Sequence, residues 1–302
     1  MRGTRGFVML NALVIVAAMS AAVVLVMGRA QAVRDVQFLD VSVAQTKLYL
    51  DGFDALAVQL LGEDGRRGIT DHPSDNWAEA SYTVDVDRGQ VSGQIRDLQS
   101  GFNINWLNWA PDVANQEAFL RLADSASLSS NLAEAVIDFV KLGGPSNRAI
   151  YGQRPIPIDP DGGPLVSIWQ LRDVPGMTDE SFEKLRKYAS VMPPEAKINI
   201  NTAPREVIDA ILPNSSQEIN GLLQGREQEP IASLDMLFDI IMSQLQDEVA
   251  ANLVLEKFAV GSDWFIAESV AQLNDSTFRR ETVIRRRGTP RVTEIWYRLG
   301  PL

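Results

Sequence analysis

Residues Phe7 to Gly28 read FVMLNALVIVAAMSAAVVLVMG, a run of 22 residues without a charged side chain. Arg2 and Arg5 precede this run, and Arg29 follows it directly. At a rise of about 1.5 Å per residue, a helix of this length covers about 30 Å, the thickness of the hydrocarbon core of a bilayer. Basic residues before an apolar helix favour a cytoplasmic N-terminus. The run therefore predicts a single membrane span, with the rest of the chain exported.

The helical pattern continues beyond the apolar run. Neither proline nor glycine occurs between Arg29 and Asp51, and apolar or small side chains recur at alternating spacings of three and four, the repeat of one helix face. We predict one helix from about residue 7 to about residue 61, which a polar stretch beginning at residues 62–65 then breaks. The same periodicity also fits an amphipathic stalk or a coiled coil. The stripe consists of Val36, Leu39, Val43, Thr46, Leu50, Phe53, Ala57 and Leu60.

Two parts of the remaining chain show the alternation of β-strands. The first, residues 82–95, predicts a β-hairpin with a turn at residues 87–89, and the second, after Ala259, predicts three further strands. Since both parts can belong to one sheet, we predict a sheet domain built from residues 63–100 and 259–302. The leader would be residues 1–6, and the two halves of the stem helix residues 7–28 and 29–62.

The segment between these strands, residues 101–258, has a helical texture. Helices are predicted over residues 111–123 and 128–142, followed by two similar helix-turn-helix units that begin near residues 167 and 198. Thr202 is placed to cap the helix that Pro204 begins. This segment is therefore predicted to be a helical domain inserted into the sheet domain.

Charge and composition exclude several classes of function. The formal net charge is -11 and the chain has no cysteine, so disulfides and thiolate metal sites are excluded. Residues 279–298 hold seven arginines against two glutamates, which leaves the rest of the chain strongly acidic. An acidic body repels a phosphate backbone, so general nucleic-acid binding is not expected.

The sequence contains no recognisable catalytic motif. Its single histidine, His72, lies beside Asp71 in a polar segment for which we predict a solvated loop. Nucleophile elbows, phosphate-binding loops, dinucleotide fingerprints and zinc-ligand spacings are not present. We therefore predict that the protein is not an enzyme.

The residues just before the apolar run bear on its processing. Arg5, Gly6 and Phe7 end a short basic leader in glycine, which resembles a prepilin peptidase site with cleavage between Gly6 and Phe7. That resemblance implies a methylated N-terminal Phe7 and a retained apolar helix. Two other interpretations stay open: a signal peptide cleaved after Ala32, and an uncleaved signal anchor.

Together these features resemble the K-type minor pseudopilins of the type II secretion system, the general secretion pathway protein K family, over essentially the whole chain. The resemblance is carried by Gly6-Phe7 with the apolar helix, residues 101–105, 171–177 and 197–204, and the arginine-rich final strands. It implies an α+β fold in which a pilin-like long N-terminal helix packs on an antiparallel sheet. The helical domain would be an all-α insertion of helix-hairpin-helix or SAM-like type.

The resemblance also implies a function and partners. Such a subunit caps the pseudopilus tip with I- and J-type minor pseudopilins, is anchored in the bacterial inner membrane, is processed by prepilin peptidase, and has a mainly periplasmic chain. Asn11 stands where most pseudopilins have a glutamate at the fifth mature position. K-type proteins resemble calcium binders, and Asp159 and Asp161 could supply two carboxylates for calcium or simply form a turn.

One alternative function belongs to another class. Helix-hairpin-helix units often bind DNA through backbone amides, so the chain could be a membrane-anchored DNA-binding or uptake protein. Against this, acidic side chains surround both units, and the second hairpin loop, residues 212–216, lacks the Gly-Ile-Gly that lets a phosphate approach. We therefore interpret the units as a protein-packing scaffold, with no nucleic acid expected as a partner.

Overall fold

The computed structural model describes residues 4–108, 112–213, 216–226, 228–274, 276–288 and 291–300. Its longest element is helix α1, Thr4–Arg67, of 64 residues. The predicted break at residues 62–65 is wrong, because α1 continues through Gly62 and Gly65. Arg286 of the sheet explains this, since its guanidinium donates to the Leu61 carbonyl and to Asp64 and so holds the last turns in place.

The other regular elements alternate between a sheet and a helical region. In chain order they are β1 (Tyr82–Val86), β2 (Gly89–Asp97), β3 (Phe102–Asn103), α2 (Val113–Ser125), α3 (Ser130–Val140), α4 (Ala149–Gly152), α5 (Asp179–Arg186), β4 (Ala189–Ser190), β5 (Ile198–Asn199), α6 (Arg205–Ile211), α7 (Ser216–Arg226), α8 (Asp235–Leu245), α9 (Glu248–Leu255), β6 (Phe258–Ala259), β7 (Trp264–Leu273), β8 (Ser276–Arg287) and β9 (Val292–Leu299).

The main sheet joins strands from both ends of the chain outside α1. Its order is β1-β2-β7-β8-β9, and every neighbouring pair is antiparallel. The predicted hairpin and the three late strands are therefore confirmed as one sheet. Together with α1 and the helical region between β2 and β7, this is the predicted α+β fold class.

The helical region is attached at one end of this sheet. Strand β2 ends at Asp97, which lies opposite Phe265 near the start of β7, so the chain leaves and re-enters at the same end. Along β8, Arg280 contacts Asp54 whereas Arg286 contacts Leu61, which gives the direction of α1 relative to the strands. The attachment therefore lies at the end of the sheet farthest from the apolar segment of α1.

One face of the sheet is covered by the second half of α1. Leu50, Phe53, Ala57 and Leu61 are buried against an apolar sheet face, and burying each of the leucine and phenylalanine side chains stabilises the fold by about 1.5–3 kcal/mol. The predicted stripe is correct from Thr46 to Ala57. Val43 is 48% exposed, and the side chains of Val36 and Leu39 lie outside the described residues.

One four-residue pattern, which we call the asparagine motif, occurs twice in the helical region. In residues 102–105 and 198–201, an apolar residue, an asparagine, an isoleucine and a second asparagine follow one another, and all eight are buried. Asn103 accepts from the Met192 amide and donates to the Pro193 carbonyl. Asn201 accepts from the Ile231 amide and donates to its carbonyl. The side-chain amides of these asparagines thus form hydrogen bonds with buried backbone N–H and C=O groups of loops, which have no partner in a sheet.

The predicted helices lie where the sequence places them, but one segment forms a 3-10 turn and one predicted helix cap is wrong. Helices α2 and α3 match the segments predicted at 111–123 and 128–142, although Pro111 lies outside the described residues. The segment Ile168–Asp173 is a 3-10 turn. Thr202 does not cap α6, whose N-cap is Pro204, because its hydroxyl donates instead to buried Asp97.

Candidate functional site

The N-terminal part of α1 is a candidate membrane segment. Met9–Arg34 has a mean hydropathy of 2.5, and none of its most apolar window is buried against the rest of the chain. Asn11 lies in this segment as an exposed side chain. Gly6 and Phe7 lie within α1, but the surroundings of both residues are outside what the structure describes. Cleavage between them and the role of Asn11 stay predictions.

The second half of α1 is held on the sheet by a first group of buried ion pairs. Arg280, which is fully buried at its side chain, donates to Asp51 at 2.5 Å and to Asp54 at 3.2 Å. Arg298 donates to the same Asp54 carboxylate at 2.7 Å. Such pairs fix the register of two elements, because removing one partner leaves an uncompensated buried charge.

A second group lies about three turns further along α1. The guanidinium of Arg286 contacts Asp64 at 2.9 Å and also Asp71, and Arg291 contacts Asp71 at 3.3 Å. Burial raises the pKa of Asp64 to about 6, against the opposing hydrogen bond from Arg286 and with help from the neighbouring Asp75 and Asp71. Asp71 also accepts from the Ser262 amide, so this group joins the end of α1 to the start of β7.

These ion pairs change the interpretation of the arginine-rich C-terminus. The sequence presents it as a basic region, but Arg280 and Arg286 are buried and, like Arg291 and Arg298, are paired with carboxylates of α1 and the following loop. Sequence reasoning missed Asp51, Asp54, Asp64 and Asp71 as partners. The sequence did carry a signal for these pairs. Acidic residues lie on the side of α1 that is predicted to pack on the strands that bear the arginines.

Two groups of carboxylates are candidates for binding a cation. Oxygen atoms of Asp64, Asp71 and Asp75 lie within 4.8 Å of one another, but Arg286 already supplies positive charge to two of them. Asp159 and Asp161 are 76% and 89% exposed at their side chains, and both lie within 3.7 Å of the Arg148 guanidinium. Calcium takes six to eight oxygen ligands, whereas Asp159 and Asp161 supply two carboxylates. Calcium binding by this pair therefore stays a prediction.

Asp97 is the centre of the junction between sheet and helical region. Its carboxylate is buried and accepts from the hydroxyls of Ser262 at 2.6 Å and Thr202 at 2.5 Å, and from the Gln99 amide at 2.7 Å. Burial raises the pKa of Asp97 to about 6, against these hydrogen bonds, and Asp71 raises it further. The chain leaves the sheet after β2 and returns to it before β7, and both of these connections contact the Asp97 carboxyl group.

Replacing Asp97 with asparagine is expected to change how stability depends on pH. Because folding raises this pKa from 3.8 to about 6, the contribution of Asp97 is fully present below pH 4 and is lost as pH rises through 6. Between pH 4 and pH 7, the wild type should lose about 3 kcal/mol of unfolding free energy relative to Asp97→Asn. Urea unfolding of residues 36–302 at several pH values measures this, with Asp85→Asn as the exposed control. Equal pH slopes for wild type and Asp97→Asn would contradict it.

His72 is not in a solvated loop, so that prediction is wrong. His72 is 8% exposed as a residue, its ring Nε2 lies 2.8 Å from the Arg226 carbonyl oxygen, and its Nδ1 lies 2.8 Å from the Ser74 hydroxyl. A nitrogen that faces a carbonyl must carry the proton. His72 therefore fastens the loop after α1 to helix α7, and both ring nitrogens are used in this packing.

The outer sheet face, opposite α1, carries a polar contact with the helical region. Arg186 donates to both Glu268 and Glu281, and the Trp169 indole donates to Glu281 at 2.7 Å. Nearby Arg172 pairs with Asp179 at 2.5 Å and stacks on the Trp169 ring. These arginines beside the first helical hairpin are thus engaged by carboxylates, which weakens the DNA-binding alternative.

Comparison with known proteins agrees with this architecture. Residues 100–194 match a family model described as Type II secretion system (T2SS), protein K, and residues 198–255 match a second model with the same description. The two matches together cover half of the chain and span the helical region with its two asparagine motifs. The chain belongs to the type II secretion system protein K family.

Members of this protein K family and one solved structure resemble the chain over most of its length. The protein from Pectobacterium carotovorum subsp. carotovorum is 26% identical over 271 residues, and that from Klebsiella pneumoniae is 25% identical over 267 residues, each match covering 81% of both chains. A chain of the GspK-GspI-GspJ complex from enterotoxigenic Escherichia coli superposes with a TM-score of 0.66 at 21% identity, over 85% of this chain and 95% of that one. This structural match supports the fold.

Proposed function

We propose that this protein K-family chain caps the tip of the type II pseudopilus together with I- and J-type minor pseudopilins, and helps to initiate its assembly for protein export across the outer membrane. The observation that carries the proposal is the attachment of the helical region at the end of the sheet farthest from the membrane segment. A subunit widened at that end hinders the addition of another subunit above it. The solved complex that resembles this chain contains GspI and GspJ.

The membrane segment supplies the second part of the proposal. Prepilin peptidase would cleave between Gly6 and Phe7, the new N-terminal Phe7 would be methylated, and α1 would keep its apolar half in the inner membrane. Most pseudopilins have a glutamate at this fifth mature position, and its carboxylate can pair with the N-terminal amine of the subunit below. Asn11 has no charge to offer such an amine, which fits a subunit that is not added within the shaft.

The remaining chain would lie in the periplasm and act by binding other subunits, without a catalytic role. Its charged clusters support this, since Arg280 and Arg286 join α1 to the sheet, and Asp97 joins the sheet to the helical region. Calcium at Asp159 and Asp161 belongs to the proposal as a local stabiliser of the loop that they share. Arg148 could be displaced from both carboxylates by such an ion.

Association with the proposed partners tests this function. Residues 36–302, mixed with soluble I- and J-type pseudopilin domains, are expected to elute in size-exclusion chromatography as one complex that contains all three chains. Duplex DNA at moderate salt should leave the elution of the chain unchanged. Separate elution of the three proteins would contradict the proposal, and a shift with DNA alone would favour the DNA-binding alternative.

A further inference from the structure

Helices α8 and α9 lie in a strongly acidic part of the helical region. Residues 227–256 contain no lysine or arginine, whereas they contain the acidic residues Glu227, Glu229, Asp235, Asp239, Asp247, Glu248 and Glu256. Among the residues that the structure describes, the carboxylates of this segment form no ion pair. By contrast, an acid of the first helical hairpin has a basic partner, since Glu180 pairs with Lys184 at 2.7 Å. The negative charge of α8 and α9 is therefore not neutralised within the described part of the chain.

The exposed side of α9 carries apolar side chains beside these carboxylates. Val249 is 71% exposed and Leu253 is 62% exposed. Because they are four residues apart, they lie on one side of the helix. Glu248 precedes Val249, and Glu256 lies three residues beyond Leu253, so both carboxylates flank the apolar pair. We call this surface the α9 face; it consists of Glu248, Val249, Asn252, Leu253 and Glu256, all exposed.

The opposite side of α9 holds the helix in the fold. Ala251 is fully buried in the core of the helical region, and Val254 and Leu255 pack against that core. The exposed apolar pair is thus additional to the contacts that fold this helix. Exposed apolar side chains with polar residues around them are typical of a surface that binds another protein.

A cleft of about 450 Å³ extends the α9 face. Its lining includes Leu253 and Glu256 of the face, and also Asp112 of α2 and Glu195. Asp112 and Glu195 form no ion pair with another described residue. The cleft therefore adds two further carboxylates to the surface around Leu253.

Two lysines also line this cleft, but one of them is already engaged. The Lys257 ammonium donates to the Asn115 side-chain oxygen and lies 5.0 Å from the centroid of the Trp106 ring. Lys197 is the other lysine, and it is exposed. Lys197 alone does not balance the three carboxylates of the cleft, so the surface keeps a net negative charge.

We infer that the α9 face binds a helical segment of a partner protein during secretion, and that this segment has apolar side chains flanked by lysine or arginine. Its apolar side chains would pack on Val249 and Leu253, and its cations would meet the flanking carboxylates. The same carboxylates would repel a nucleic acid or an anionic lipid surface. Because the α9 face belongs to the helical region, the inference does not depend on how I- and J-type pseudopilins contact α1.

Peptide binding by the full chain tests the chemistry of this surface. The full chain would be placed in nanodiscs of phosphatidylcholine, a lipid without net charge. The probe is a fluorescent peptide of about 18 residues, with leucines on one helix face and lysines elsewhere. In the matched control peptide, glutamate replaces each lysine. Fluorescence anisotropy, with empty nanodiscs as background, should show binding of the lysine peptide that weakens at high salt, and no binding of the glutamate peptide.

Variants of the α9 face locate the binding site. Val249→Gln combined with Leu253→Gln removes the apolar pair but keeps every carboxylate, and it should raise the Kd for the lysine peptide by about tenfold. Glu248→Gln combined with Glu256→Gln keeps the apolar pair and should raise the Kd by a similar factor. Ile156→Gln is the matched control, because Ile156 is 80% exposed and lies outside the α9 face. Its Kd should equal that of the wild type.

Secretion provides the measurement in cells. In a strain that depends on this chain, the double variant of Val249 and Leu253 should lose most of the secreted type II substrate from the medium. It should still recover I- and J-type pseudopilins in wild-type amounts, because the α9 face binds a different partner. Ile156→Gln should secrete at the wild-type level.

The outcomes decide which occupant the α9 face has. Weaker binding of the lysine peptide by the double variant, together with its loss of secretion, supports the inference. Unchanged binding by this variant, or wild-type secretion, overturns it. A wild-type chain that dimerises in detergent through this face would assign the face to a second copy, and loss of I- and J-type pseudopilins from the variant would assign it to the tip complex. Either result also overturns the inference. If the wild-type chain recovers neither pseudopilin, the proposed function fails while the peptide result stands.

Discussion

Replacing Arg286 with methionine is expected to lower the free energy of unfolding of residues 36–302 by about 3–5 kcal/mol. The Arg286 side chain is fully buried and contacts Asp64, Asp71 and the Leu61 carbonyl, and its Nη2 also reaches the Ser262 carbonyl. Methionine fills part of the space but leaves the Asp64 charge without its cationic partner. The end of α1, the following loop and β7 would all lose a shared contact.

Urea unfolding of the variant and the wild type measures this change. Arg287→Met is the matched control, because Arg287 is the next residue of β8 and is exposed, so its replacement should change stability by no more than about 0.5 kcal/mol. If Arg286→Met and Arg287→Met unfold at the same urea concentration as the wild type, the buried ion pairs do not hold α1 on the sheet.

Replacing Gly6 with leucine is expected to abolish maturation and, with it, secretion by the type II pathway in a strain that depends on this chain. A peptidase that cuts between Gly6 and Phe7 must approach the backbone closely at the residue before the scissile bond, where glycine presents no side chain. The unprocessed chain keeps its basic leader and offers no free amine at Phe7 for methylation.

The leader itself supplies the control for this prediction. Gly3→Leu makes the same chemical change three residues earlier, and it should be processed and support secretion at the wild-type level. The size of the chain in membranes and the amount of a secreted type II substrate in the medium are the two readouts. Wild-type processing of Gly6→Leu would show that the cleavage site lies elsewhere.

Those parts of the fold with a local repeat could be predicted from the sequence. The apolar run and the stripe from Thr46 to Ala57 fix α1, and the alternation around residues 82–95 and after Ala259 fixes the strands of the sheet. Because the helical texture lies between these strands, the insertion also follows from the order of the patterns. Helix and strand periodicity are properties of neighbouring residues, so one sequence carries them.

The contacts that join these parts could not be predicted in the same way. Glycines at 62 and 65 indicate a helix end, but Arg286, more than 200 residues away, holds the helix to Arg67. The hydroxyl of Thr202 fits the local pattern of a helix cap, yet it donates to Asp97 across the junction. Contacts with residues far away in the sequence determine both the end of α1 and the hydrogen bond of Thr202. A local sequence pattern does not encode such distant partners.

The mass and N-terminal residue of the mature chain test most directly the claim that this is a processed, pilin-like subunit. The full chain should be expressed in membranes with and without prepilin peptidase and then measured intact by mass spectrometry. We expect a chain that begins with N-methylated Phe7 only when the peptidase is present. A mature chain that begins at Val33, or one that keeps Met1 in the presence of the peptidase, would contradict the account.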